Sequence, residues 1–174
     1  MKTVEDCIKE DWKPYLKRYN YQKGLTKELD KFKGDFDQAE INRLVLWKVN
    51  RYAKIPSELL VELNKIKDLK PGQHRKAREV LEKLLHSNVR GVDLAMASTF
   101  LRFRNPHVFQ IIDQRAFRVI YGEKMKGTGT PKEKTDKYFE YLDKLRKLCE
   151  KKNVAFEKID RILYELDKEK NREL

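Results

Sequence analysis

Two short segments in the middle of the chain carry residues whose types and spacing could do chemistry. In residues 88–95, Gly91 lies in a tight turn between two helical segments, and the backbone N–H groups of such a hairpin and of the following helix can bind a phosphate. Further along, Asp113 follows Ile111 and Ile112 directly. A carboxylate with such apolar neighbours can stabilise a cationic sugar transition state or activate water. The first segment therefore predicts phosphate binding, and the second predicts a carboxylate that could take part in a reaction.

Each of these features also has a purely structural explanation. Asp is a favoured helix N-cap, and a helix is expected to begin just after Asp113. Gly91 suits any turn between helices that requires a positive φ angle. The Gly-Thr-Gly-Thr stretch at 127–130 lacks the preceding strand and the lysine of a phosphate-binding loop, so it is interpreted as a connector.

The charge distribution indicates which kind of partner the chain binds. The 174 residues contain 40 Lys and Arg against 28 Asp and Glu, a formal net charge of +12. Residues 65–126 alone hold fourteen basic and six acidic side chains, so about a third of the chain carries +8 of that excess. A concentrated basic region is typical of a polyanion binder, most often of nucleic acid. The alternative is a lysine-rich protein with its charges spread over all faces.

Several classes of protein are excluded by composition. Cys7 and Cys149 are 142 residues apart, and the three histidines have no metal-ligand spacing, so neither a disulfide framework nor a zinc or iron–sulfur site held by four thiolates is expected. No apolar run approaches the roughly 18–20 residues that span a bilayer, and the first residues lack a signal-peptide core. The sequence predicts a cytoplasmic protein without a membrane partner, associated with the nucleoid if it binds DNA.

The elements that must position these residues are all helical. Apolar residues recur at helical spacing, Asp37 and Thr130 are candidate N-caps, and no segment alternates as a strand would. The predicted fold class is all-α. Helices are predicted at 37–52, from 56–58, at 75–85, at 94–103, from 113, from 130, and at 156–166.

Residues 84–122 resemble the helix-hairpin-helix DNA glycosylase superfamily, which includes endonuclease III and the adenine and 8-oxoguanine glycosylases. The family hairpin reads roughly L-P-G-V-G-x-K-T-A, and residues 89–97 read Val-Arg-Gly-Val-Asp-Leu-Ala-Met-Ala. The family aspartate lies in a V-D-x-H-V-x-R context, and residues 112–119 read Ile-Asp-Gln-Arg-Ala-Phe-Arg-Val. Ala95 stands at the family lysine position, 18 residues before Asp113, which is the spacing common to several members.

The resemblance implies a single domain over 1–174, a two-lobed helical bundle that contains a helix-hairpin-helix motif. One lobe would span 37–121, and the other would combine 1–36 with 130–174. It also implies DNA as the partner and Asp113 as the catalytic residue, ionised and acting on a flipped nucleotide. Trp47 and Lys48 are candidate pocket residues; the alternatives are a place in the core for Trp47 and a place on the surface for Lys48. The candidate DNA contacts are Arg90, Gly91, Val92, Asp93, Arg102, Arg104 and Arg115.

Departures from the family pattern narrow the expected activity. Ala95 replaces the lysine that forms a Schiff base, which predicts a monofunctional glycosylase that hydrolyses the N-glycosidic bond. Arg90 replaces the hairpin proline, Arg115 replaces a histidine, and Asp93 replaces a glycine with a charge that opposes phosphate unless it is paired or points away. The cluster cysteines of some members are absent, so no cofactor is expected, although the family hairpin can hold a monovalent cation through backbone carbonyls.

Two other functions fit the same residues. One is a non-catalytic helix-hairpin-helix module that binds DNA and keeps Asp113 only as a helix cap. The other is a lysine-rich helical interaction protein that binds no nucleic acid.

Overall fold

A computed structural model describes residues 2–20, 23–48, 53, 55–86, 89 and 91–171, with the backbone alone for 23–25. These residues form nine α-helices and no strand, which confirms the all-α prediction. Short 3₁₀ helices cover Ile66–Asp68, His74–Ala77 and Phe156–Lys158. The α-helices are α1 (Lys13–Arg18), α2 (Lys23–Lys31), α3 (Gln38–Lys48), α4 (Ser57–Lys65), α5 (Arg78–Leu84), α6 (Leu94–Arg104), α7 (Gln114–Tyr121), α8 (Pro131–Lys152) and α9 (Ile159–Lys170).

The predicted caps begin helices where the sequence places them. Asp37 Oδ1 accepts the Glu40 N–H at 2.8 Å at the start of α3. At the start of α8, Thr130 Oγ1 accepts the Glu133 N–H at 3.2 Å, and the Glu133 carboxylate accepts the Thr130 N–H at 2.7 Å. This reciprocal pair satisfies two N–H groups that a helix otherwise leaves unbonded. Asn153, with a φ of 49°, ends α8 in the left-handed conformation.

Helices α6 and α8 carry much of the core. Ten of the eleven residues of α6 are buried, and α6 contacts α3 and α4. The apolar residues that recur at helical spacing after Thr130 form one buried face of α8: Tyr138, Tyr141, Leu142, Leu145 and Leu148. Residues 105–112, between α6 and α7, lead into Asp113.

The terminal helices pack onto the middle of the chain. Helix α9 contacts both α1 and α7, and α8 contacts α5. Helices from the two predicted lobes therefore touch, and the buried apolar side chains from Val4 to Leu166 form one cluster. The division into lobes stays a prediction. None of the helices in the described ranges has the length and apolar character needed to cross a membrane.

Candidate functional site

A cavity of about 470 Å³ lies where α3, α6, α7 and α9 come together. It brings together three groups of residues singled out in the sequence: the candidate pocket residues, the start of the hairpin helix and the start of α7. Tyr19, which precedes α2, and residues of α9 complete the wall. Among the lining residues are Trp47, Lys48, Asp93, Ala95, Asp113 and Arg115.

A buried, fully anchored segment positions Asp113. Residues 108–112 are buried, and their backbone is bonded to side chains of α6 and α8. Tyr138 donates to the Gln110 carbonyl at 2.8 Å, Tyr141 donates to the Ile111 carbonyl at 2.7 Å, and the Ile112 N–H donates to Ser98 Oγ at 3.1 Å. Burial raises the pKa of both tyrosines well above the ordinary value, so both remain donors. These hydrogen bonds hold the backbone that directly precedes Asp113 and so fix its position at the cavity.

The Asp113 carboxylate has one oxygen committed to the backbone and one facing a lysine. Its Oδ1 accepts the Ala116 N–H at 2.9 Å and caps α7, while its Oδ2 accepts from Lys48 Nζ at 3.1 Å. The side chain is 27% exposed. Asp113 is thus the N-cap of α7, and the same side chain also lines the cavity.

The surroundings of Asp113 keep its carboxyl group ionised. Burial alone raises the pKa of Asp113, but the Lys48 ammonium, the Ala116 N–H and the charge of Arg115 act in the other direction and outweigh it. The net effect is a pKa below the ordinary value of an aspartic acid. At neutral pH the cavity therefore contains a fixed negative charge paired with a cation.

Helix α3 supplies that cation because its last turn is fixed by Trp47. The indole is buried, its Nε1 donates to Thr26 Oγ1 at 2.7 Å, and its ring meets Phe103 edge-to-face with centroids 5.0 Å apart. The next residue, Lys48, is only 13% exposed and faces Asp113. The structure therefore places both candidate pocket residues in the wall of the cavity.

The turn before α6 has the predicted backbone geometry. Gly91 has a φ of 80°, in the left-handed region that favours glycine, and Val92 beside it is half-buried. Asp93 caps α6, since its Oδ1 accepts the Met96 N–H at 3.0 Å. One of the N–H groups that an anion could use is therefore bonded to a carboxylate already. The predicted contact Arg90 lies outside the described residues.

Two of the three remaining arginines do not lie on a DNA-accessible surface. Arg102 is 3% exposed and ion-paired with Asp30 and Asp160 at 2.6 and 2.9 Å. Arg104, also 3% exposed, donates to the Gly34 carbonyl at 2.6 Å and to other groups of the same region. Their basic charge is used inside the fold, so we do not assign them to a DNA surface.

Arg115 differs from those two, because its side chain is 44% exposed at the edge of the cavity. It pairs with Asp167 at 3.2 Å and lies 5.2 Å from the centre of the Tyr164 ring. Of the predicted arginine contacts within the described ranges, it is the one that an approaching phosphate could reach.

The far wall of the cavity consists of residues that the sequence analysis did not single out. Tyr19 and Tyr164 meet edge-to-face with ring centroids 5.7 Å apart. The Arg161 guanidinium lies 5.4 Å from the centre of the Tyr19 ring, and Asp160 is beside it in the wall. Aromatic faces beside charged groups suit a planar, polar ligand. No sequence motif connects residues 19 and 160–164, so packing alone brings them together.

Within the described residues, no group of three or more His, Cys, Asp or Glu side chains could hold a metal ion. Cys7 and Cys149 are both buried free thiols, and burial raises the pKa of each.

No protein-family model, curated protein or solved structure significantly matches this chain.

Proposed function

We propose that the protein binds DNA and acts as a monofunctional DNA glycosylase, which hydrolyses the N-glycosidic bond of a damaged or modified base. The observation that carries this proposal is the Asp113 carboxylate in the wall of a cavity that Ala95, Tyr19 and Tyr164 also line. The cavity volume of about 470 Å³ lies within the roughly 300–1,000 Å³ range of ligand pockets, and this function requires a pocket that receives a flipped nucleotide. DNA is the proposed partner, and the nucleoid is the proposed location.

The proposed mechanism depends on the charge of Asp113. When the bond between the base and the sugar breaks, positive charge develops on the sugar ring, and a preorganised carboxylate nearby lowers the energy of that state. Water then attacks the anomeric carbon. Ala95 has no nucleophile to offer, so the step is hydrolysis rather than formation of a covalent adduct from that position.

The Gly91 turn and the start of α6 are proposed to grip the DNA backbone. The turn has the left-handed glycine that a tight hairpin requires, and Arg115 is exposed next to the same cavity. The Asp93 carboxylate is engaged with the Met96 N–H, so part of its charge is offset by the helix terminus.

A second candidate is a DNA-binding module without catalytic activity. Two contacts of Asp113 favour it, because both carboxylate oxygens already have partners. One oxygen caps α7, and the other is bonded to Lys48. A carboxylate in such an arrangement could be retained for stability alone.

Base release from a panel of duplexes distinguishes these functions. Duplexes that contain uracil, alkylated, deaminated or oxidised bases are incubated with the protein, and abasic sites are revealed by alkali. The glycosylase proposal expects base release from at least one duplex, with strand scission only after alkali or heat. Binding without any base release would favour the non-catalytic module. Failure to bind duplex DNA even at low salt would contradict both functions and leave a helical interaction protein.

A further inference from the structure

The cation beside Asp113 is not explained by the proposed role of the carboxylate. Lys48 Nζ lies 3.1 Å from Asp113 Oδ2 and is 13% exposed in the wall of the cavity. A positive charge this close opposes the development of a sugar cation, so on electrostatic grounds it weakens the effect of Asp113. The position of Lys48 must therefore be explained in another way, either by a second function in the reaction or by a structural role.

The departing base is the group that a cation could assist. Rupture of the bond leaves its electron pair on the base nitrogen, so a neutral base departs as an anion unless it receives a proton. A proton donor positioned at the base typically accelerates such a step by about 10²–10⁴-fold. An ammonium group has three N–H bonds, so donation to Asp113 and donation to a base are compatible.

We infer that Lys48 is the general acid of this site and delivers a proton to the departing base while Asp113 stabilises the sugar. This inference rests on the proposed glycosylase function. It assigns opposite charges to opposite fragments of the substrate: the carboxylate to the sugar, which becomes positive, and the ammonium to the base, which becomes negative. The two residues are 65 positions apart in the sequence, and the fold holds their side chains at hydrogen-bonding distance.

The step balances without any further reactant than water. The bond between the anomeric carbon and the base nitrogen breaks, its electron pair goes to the base, and Lys48 gives up a proton to the base to become a neutral amine. Water forms the new carbon–oxygen bond, and the proton that it loses returns to the Lys48 amine. The products are the free base and an abasic sugar, and both side chains are regenerated.

The geometry favours this function over nucleophilic attack by the same lysine. A primary amine attacks carbon only through an unprotonated nitrogen, whereas Lys48 is held in an ion pair with a carboxylate. The lowered pKa of Asp113 keeps that partner charged across the neutral range. The ion pair with Asp113 therefore favours proton donation by Lys48 over nucleophilic attack.

Two substitutions at position 48 test the inference on the full-length protein. Lys48→Met removes the proton and the charge. Lys48→Arg keeps the positive charge beside Asp113 but cannot give up a proton, because a guanidinium stays protonated in proteins. The control is Lys170→Met, which also removes a lysine paired at 3.1 Å with a carboxylate, that of Glu10, away from the cavity. Single-turnover base release is measured on the duplex that wild type processes and on one whose target base carries an electron-withdrawing fluorine.

The expected result is a fall of about 10²–10⁴-fold in the rate for both Lys48 variants, with an unchanged rate for Lys170→Met. The fluorinated base is the better leaving group and needs less help, so its rate should fall at least about tenfold less. If Lys48 has only a structural role, Lys48→Met should slow the release of both bases equally, and Lys48→Arg should remain nearly active. Either result would overturn the inference. Borohydride trapping of wild type that is lost in Lys48→Arg would overturn it too, in favour of a nucleophilic lysine.

The failure of this inference is distinguishable from failure of the proposed function. If wild type releases a base and Lys48→Met releases it equally fast, Lys48 is not the acid and the glycosylase function stands. If wild type releases no base from any duplex of the panel, both are wrong.

Discussion

The ion pair that joins α7 to α9 gives the sharpest prediction about stability. The Asp167 carboxylate is fully buried and receives two N–H groups of Arg118, at 2.7 and 2.5 Å, while Arg118 is 10% exposed. Asp167→Asn keeps the size of the side chain but leaves the guanidinium without its counter-charge and turns an N–H donor toward it. Removing one partner of a buried pair costs about 3–5 kcal/mol. For a chain of this length that corresponds to a fall in Tm of roughly 6–20 °C.

The assay is urea and thermal unfolding followed by circular dichroism, with a matched exposed pair as the control. Glu79, whose side chain is 80% exposed, pairs with Lys83 at 2.8 Å on the surface of α5. Glu79→Gln should leave the unfolding midpoint close to that of wild type, because exposed helix pairs contribute little to stability. A loss below about 1 kcal/mol in Asp167→Asn would refute the view that this pair holds α9 against α7 and thereby forms one side of the cavity.

Three further predictions concern the backbone grip, the turn and a buried histidine. Duplex DNA affinity should fall steeply with salt, with a slope of roughly −0.9 in log K against log salt for each phosphate contact, and a salt-independent affinity would contradict the proposed grip. Gly91→Ala should cost about 1–2 kcal/mol in urea unfolding, because its φ of 80° is strained for alanine, and an unchanged midpoint would contradict that geometry. Burial lowers the pKa of His74, against the opposing charge of Asp143, so the unfolded chain binds the proton more readily and stability should fall as the pH drops below about 6.5. The urea midpoint of His74→Gln should fall less between pH 7 and 5 than that of wild type, and equal falls would show that His74 does not titrate as inferred.

Much of the helical framework could be predicted because it depends on local signals. Asp37 and Thr130 mark the starts of α3 and α8, because a helix cap acts within a single turn. The buried apolar face of α8 follows from the helical spacing of its residues. The short helices α1 and α2 were not predicted. Each is less than ten residues long, so its stability depends on packing against α9 and α3 rather than on its own sequence.

The candidate site was predicted only in part, because several of its residues are far apart in the sequence and meet only in the folded protein. The sequence points to Asp113 and to Gly91 because each stands in a recognisable local context. It left Lys48 open between the surface and the site, because nothing local tells a buried lysine from an exposed one. Tyr19 and Tyr164 reach the cavity only through the packing of α9. Conversely, Arg102 contributes to the basic charge counted in the sequence, but in the fold it is buried in ion pairs with Asp30 and Asp160.

The measurement that tests the central proposal most directly is base release by Asp113→Asn. Asn is about as good an N-cap as Asp, so the start of α7 should persist and the variant should stay folded. Asp37→Asn is the matched control, because it changes an N-cap of the same type at the start of α3. We predict that the control keeps wild-type turnover, while Asp113→Asn loses about 10²–10³-fold, since the charge that balances the sugar cation is gone. An active wild type whose Asp113→Asn variant stays equally active would contradict the catalytic role of Asp113.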